Sequence, residues 1–211
     1  VLTNGAAGDI STRFVRQSQT YEELTRLSDR LVEGIGRSIG NSERLSDPRL
    51  DFSSTEAEVP HSRRPTGEEV RELIAAARKE VKKLESRAEY SQAELRLAQS
   101  KLEGLRSLEN KLEREPWEET ETMVLKAFRV GKIVYVAIPG ELFNDVFNQI
   151  IRSTPAEIIP VPLGLSNGYR GYFPVEKEGQ DLTYESLVSK FDGRSTDKIR
   201  SAIQGLIYDL K

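Results

Sequence analysis

Ile133-Val134-Tyr135-Val136-Ala137-Ile138-Pro139-Gly140-Glu141-Leu142 runs from an unbroken apolar segment into a Pro-Gly break and then a carboxylate. Residues 133–138 show no polar alternation, which predicts a strand covered on both faces. A helical pattern follows over Leu142 to Ile151, with Phe143, Val146, Phe147 and Ile150 on one face. Upstream, Thr122 to Val130 is also rich in β-branched and apolar residues. It joins the central strand at Gly131, so the two segments predict a hairpin. Downstream, Glu157 to Leu163 is a third apolar run. Strands and helices alternate, and the expected class is α/β (mixed, α+β-like): a mixed sheet with flanking helices. Glu141 falls where the strand hands over to a helix. A carboxylate there complements the helix dipole, or serves as a metal ligand or general base. Position alone leaves these open.

Glycine-rich loops flank this frame. Asn4-Gly5-Ala6-Ala7-Gly8-Asp9-Ile10-Ser11 has almost no side-chain bulk before two short polar residues. Val1 and Leu2 before it suggest the stub of a strand. Either Gly5 to Gly8 is a packed turn and Asp9 or Ser11 caps another element, or the loop is a site that presents them on rigid neighbours. Gly164-Leu165-Ser166-Asn167-Gly168-Tyr169-Arg170-Gly171-Tyr172 follows the third apolar run. Its tyrosines either pack on the sheet rim or reach inward to a metal or an oxyanion. Phe173 to Asp181 is polar loop, Tyr184-Glu185 follows, and Ser195 to Leu210 closes the chain with a helix. Its apolar stripe is Ile199, Ile203, Leu206 and Leu210.

Thr20 and Glu23 form a capping-box pattern before a helix over about Tyr21 to Ile39, with Leu24, Leu27, Leu31 and Ile35 at helical spacing. Arg13 and Arg16 suit surface or interdomain ion pairs better than an anion site. Leu50 to Pro60 suits an edge or exposed strand. His61, between prolines and arginines, is expected in an exposed loop and not at a metal. Residues 66–114 form a distinct unit with two apolar faces. One is Val70, Leu73, Ile74, Ala77, Val81 and Leu84; the other is Leu95, Ala98, Leu102, Leu105, Leu108 and Leu112. They predict a helical hairpin insertion, peripheral and away from Ser11. An oligomerising coiled coil is its functional alternative.

The 211 residues suffice for one large domain or two small ones, at 37% hydrophobic and 31% charged. A net charge of −3 gives no basic field for nucleic acid. With no cysteine, disulfides, thiolate metal sites and cysteine nucleophiles are excluded. Only one histidine is present, too few for a histidine-rich zinc site. The chain starts at Val1 without an initiator methionine. It is expected to be the C-terminal part of a single catalytic domain whose N-terminal half lies upstream. The compartment stays open.

Asn-Gly-Ala-Ala-Gly-Asp-Ile-Ser at 4–11, Pro-Gly-Glu at 139–141, Ser-Asn-Gly-Tyr-Arg-Gly-Tyr at 166–172 and Thr-Tyr-Glu at 183–185 stand in one order. In that order they resemble the neutral/alkaline ceramidases, most of all the short bacterial ceramidase-like proteins. The helical stretch 66–114 lies largely outside the likeness. The resemblance implies a zinc site with Glu141 and Tyr169 as ligands and two histidines supplied by the N-terminal half. It makes Ser11 the catalytic serine and assigns Asp9, Tyr172 and Tyr184 to the substrate pocket. Thr12 stands where the family usually has proline, and the two histidines have no counterpart here. The implied function is zinc-dependent hydrolysis of N-acyl amides, ceramide or a related N-acyl lipid, and is compatible with secretion. The alternative is a non-catalytic module in which the hairpin docks a partner.

Overall fold

A computed structural model describes residues 3–12, 15–44, 49–87, 89, 91–175 and 183–211. The expectations for Val1, Leu2, Arg13 and most of the 173–181 loop fall outside these residues. A four-stranded sheet organises the rest. β1 (Leu50–Pro60) pairs antiparallel with β2 (Thr120–Val130), and β2 with β3 (Ile133–Ala137). β4 (Glu141–Leu142) follows outside this sheet, and β5 (Ile159–Leu163) runs parallel to β3. The sheet is mixed, as the strand–break–helix pattern around Gly140 predicted.

β3 is not buried on both faces. Val134 and Val136 are fully buried, while Ile133 and Tyr135 are only half-buried. On that second face Tyr135 stacks on its cross-strand partner Phe128, with ring centroids 4.7 Å apart. Aromatic cross-strand pairing shelters the face without a covering helix. The other face carries the core. Met123, Leu125 and Ala127 of β2 join Val134 and Val136 there. α4 (Asn144–Ser153) adds Val146, Phe147 and Ile150, and α6 (Gly193–Asp209) adds Ile199, Ile203 and Leu206.

α1 (Tyr21–Gly40) forms where the leucine spacing places it, but Leu24, Leu31 and Ile35 stay exposed. Its capping box is half made. Thr20 accepts from the Glu23 N–H, while the Glu23 carboxylate accepts from Gln17 N–H and pairs with Arg26. Between β1 and β2 the chain forms α2 (Gly67–Glu85) and α3 (Gln92–Arg114), opened by the capping boxes Thr66/Glu69 and Ser91/Glu94. Val70, Ile74 and Ala77 face Leu102, Leu105 and Leu108. The same cluster includes Leu187 of α5 (Tyr184–Val188), so the helix pair is bolted to the site-bearing part of the chain. The expectation that it lies away from Ser11 is wrong. The α3–α5 contact joins residues remote in sequence, which spacing does not reveal. No helix among the described residues is long and apolar enough to cross a membrane.

Candidate functional site

β3 and β5 end at the same edge of the sheet, and three loops meet there. Gly164 N–H donates to the Asn4 carbonyl at 2.8 Å, tying the third apolar run to the N-terminal loop. Leu165 N–H donates to Gly140 at 3.2 Å and Arg170 N–H to Pro139 at 2.7 Å. Glu141 N–H donates to Gly171 at 2.8 Å, and Gly8 N–H to Leu142 at 3.0 Å. Such close backbone approach needs glycine. A Cβ on Gly8 would lie 2.6 Å from the Glu141 carbonyl oxygen, and one on Gly140 would collide with the Gly171 carbonyl and the Phe173 ring. Leu165 and Asn167 take φ of 57° and 64°. Strained backbone of this kind persists where surrounding structure holds it, often at functional sites.

Glu141 is not at a helix start. It sits in β4, which pairs parallel with β6 (Tyr172–Phe173), and α4 begins three residues later at Asn144. Phe143 offers the α4 N-terminus no side-chain cap. Asp9 supplies one from the N-terminal loop, its Oδ1 accepting from Asn144 N–H at 2.6 Å. The carboxylate that caps α4 is therefore Asp9, with Asp145 in the first turn also complementing the helix dipole.

Glu141 meets Tyr169, whose hydroxyl donates to Glu141 Oε1 at 3.1 Å. Burial, this hydrogen bond and the carboxylate charge raise the Tyr169 phenol above its ordinary value. Burial first, and then the Glu141 charge, push Tyr172 up to about 12. Both phenols thus hold their protons at neutral pH. A bound cation would reverse this for a ligating tyrosine. Tyr184 is near enough to raise both phenols further.

His61 is buried, not exposed. Its ring lies edge-on to Trp117 and Phe191, with centroids 6.4 and 5.3 Å away. Nδ1 donates to the Glu118 carbonyl at 2.8 Å, and Nε2 lies 3.3 Å from the Glu121 carboxylate. The other Glu121 oxygen takes Arg170 Nε at 2.7 Å. His61, Glu121 and Arg170 form a strut behind the loop that carries Tyr169. Arg170 lies inside the tyrosine motif and could have been noticed in the sequence. Glu121, just past the hairpin, carries no such signal.

Ser11 is exposed and lines a cleft of about 560 Å³ with Asp9, Phe143 and Tyr184. The opposite wall is the hairpin, through Leu84, Leu97 and Ala98. Of the six residues singled out in the sequence, Glu141, Tyr169, Tyr172 and Tyr184 form one cluster. Asp9 and Ser11 lie on the adjoining cleft, which also contains Tyr184.

Glu141 and Tyr169 are the two side chains here that could ligate a zinc. Two ligands of a tetrahedral zinc with bonds of roughly 2 Å lie about 3.3 Å apart. The Glu141–Tyr169 oxygen pair stands at 3.1 Å, the length of the hydrogen bond it makes and near that separation. Both are oxygen donors, and His61 is engaged elsewhere. Among the described residues no three His, Cys, Asp or Glu side chains gather to hold a metal.

No protein-family profile matches the chain. Over 84 residues it is 37% identical to neutral ceramidase A of Dictyostelium discoideum, covering 36% of this chain and 12% of that protein. Neutral ceramidase B of the same organism is 36% identical over 84 residues, covering 36% of this chain and 11% of that protein. The crystal structure of neutral ceramidase from Pseudomonas aeruginosa aligns with a TM-score of 0.43 at 16% identity, over 76% of this chain and 28% of that one. Part of the chain is thus similar to neutral ceramidases, as its motifs indicate. It spans about an eighth of the length of the curated relatives it matches.

Proposed function

We propose that this chain contributes to a zinc-dependent hydrolase of N-acyl amides, ceramidase-like in chemistry. The observation that carries this is the meeting of three motif loops at the strand ends, with the Glu141 and Tyr169 oxygens near zinc-ligand separation. Similarity to neutral ceramidases supports the class of reaction. In the hydrolysis the acyl C–N bond breaks, water supplies the oxygen of the new carboxylate, and the amine leaves with a proton.

Glu141 and Tyr169 would hold the metal, with histidines from upstream residues completing the set. Zinc, when bound, polarises the amide carbonyl and lowers the cost of developing negative charge. Ser11 attacks, or orients the attacking oxygen. Tyr172, held protonated, is a hydrogen-bond donor beside the carboxylate. Asp9 acts through structure, because its cap on α4 fixes the loop that presents Ser11. The hairpin-docking module has less support, since the facing stripes of α2 and α3 cover each other and Leu187.

The test is zinc content and fatty-acid release from N-acyl amides, ceramide included, in a form that carries the upstream residues. Glu141→Ala should lower zinc occupancy. Ser11→Ala should keep the metal and lose turnover by roughly a hundredfold or more. Full zinc in the first variant, or full turnover in the second, would remove the assignment.

A further inference from the structure

The cleft beside Ser11 has a wall made by the hairpin, which none of the four motif segments enters. Its volume of about 560 Å³ lies in the range of small-molecule sites. Two large apolar side chains that line it are left in water: Ile10 is 63% exposed and Leu97 56% exposed. With Phe143, Leu84 and Ala98 they make an apolar strip that reaches Ser11 and Tyr184. The charged residues of the cleft are Asp9, Glu80, Glu94 and Glu185 against Arg87 and Lys101, so its polar rim is acidic on balance. Such a rim disfavours an anionic headgroup. An apolar strip among mixed polar groups suits one end of an amphiphile.

The wall is also fixed in place. α3 meets α5 at Gly104, where an added Cβ would come 3.1 Å from Leu187 and 3.3 Å from the Tyr184 backbone. The element that carries Leu97 and Ala98 is thus seated directly on the one that carries Tyr184.

From this we infer that the hairpin is the specificity wall of the site, and that Leu97 selects substrates by the alkyl chain of the acyl group. This rests on the amidohydrolase reading above. Apolar pockets discriminate chain length by about ten- to two-hundredfold per methylene at best, so one exposed leucine gives a graded preference.

The experiment compares a long-chain N-acyl amide with the N-acetyl amide of the same amine, using the full-length zinc-loaded protein. Leu97→Glu should raise KM for the long-chain amide and lower the long-to-acetyl ratio of kcat/KM by about tenfold. Leu73→Glu provides the control. Leu73 lies on α2, 41% exposed and outside the cleft, and its replacement should leave the ratio unchanged. If the two variants behave alike, the hairpin is not the wall. If the wild type hydrolyses neither amide, the amidohydrolase reading fails. Fluorescence anisotropy with a labelled long-chain amide then judges the cleft by itself. Weakening by Leu97→Glu alone supports it, and equal affinity in both variants overturns it.

Discussion

Glu69 does two jobs at the start of α2. Its carboxylate accepts from Thr66 N–H at 2.7 Å and pairs with Arg63 at 2.9 Å. The Arg63 guanidinium first, and the backbone bond second, lower it from the usual 4.5 to about 2. A carboxyl depressed in the folded state stabilises the protein above its unfolded value. That contribution is complete above about 4.5 and disappears as pH falls through about 2. Urea midpoints of the wild type and Glu69→Gln should differ near neutrality and converge at the acid end, with the gap narrowed by salt. A constant gap across that window would mean that the ion pair is not its source. The capping box at Thr66 was readable because it is local, a Thr-x-x-Glu spacing within one turn. Asp9 and His61 were not readable in the same way. Asp9 caps a helix that begins at residue 144, and His61 is buried by Trp117 and Phe191. Flanking prolines indicate a bend but not what packs over it.

Among the elements, what repeats could be found and what meets only in space could not. α2, α3 and α6 carry apolar residues at regular spacing, and the β2–β3 hairpin turns at Gly131 with φ 59°. The two-residue strands β4 and β6 have no period, so Glu141 looked like a helix start. Two glycines within helices show the same limit. Gly104 in α3 and Gly205 in α6 are indistinguishable in sequence as mild helix weakeners. In space, a Cβ on Gly205 would meet nothing, whereas one on Gly104 would press on Leu187 and Tyr184. Gly205→Ala should therefore stabilise by roughly 0.5–1 kcal/mol. Gly104→Val should destabilise by about 1–3 kcal/mol by forcing α3 off α5. Urea unfolding measures both. Equal responses would show that the hairpin does not rest on α5.

At the scale of the whole molecule, two of the expected zinc ligands meet. The glycine loops bring Glu141 and Tyr169 to within 3.1 Å, but among the described residues no three His, Cys, Asp or Glu side chains gather to hold a metal. A catalytic zinc normally has three protein ligands, often with histidine among them. The lone histidine braces Glu121, which in turn holds Arg170, so recruiting it would dismantle the strut behind Tyr169. The leucine stripe of α1 likewise lies open to solvent. Two oxygen donors that already share a hydrogen bond give a metal little that water does not. The 211-residue chain alone should therefore retain far less than one zinc after desalting, and Glu141→Ala should scarcely change that value. In a longer form with the upstream residues, zinc should approach about one per chain, and the same substitution should lower it. Metal analysis of the four samples separates the outcomes. Stoichiometric zinc on the short chain, insensitive to Glu141→Ala, would place the metal on other residues and take Glu141 and Tyr169 out of the site.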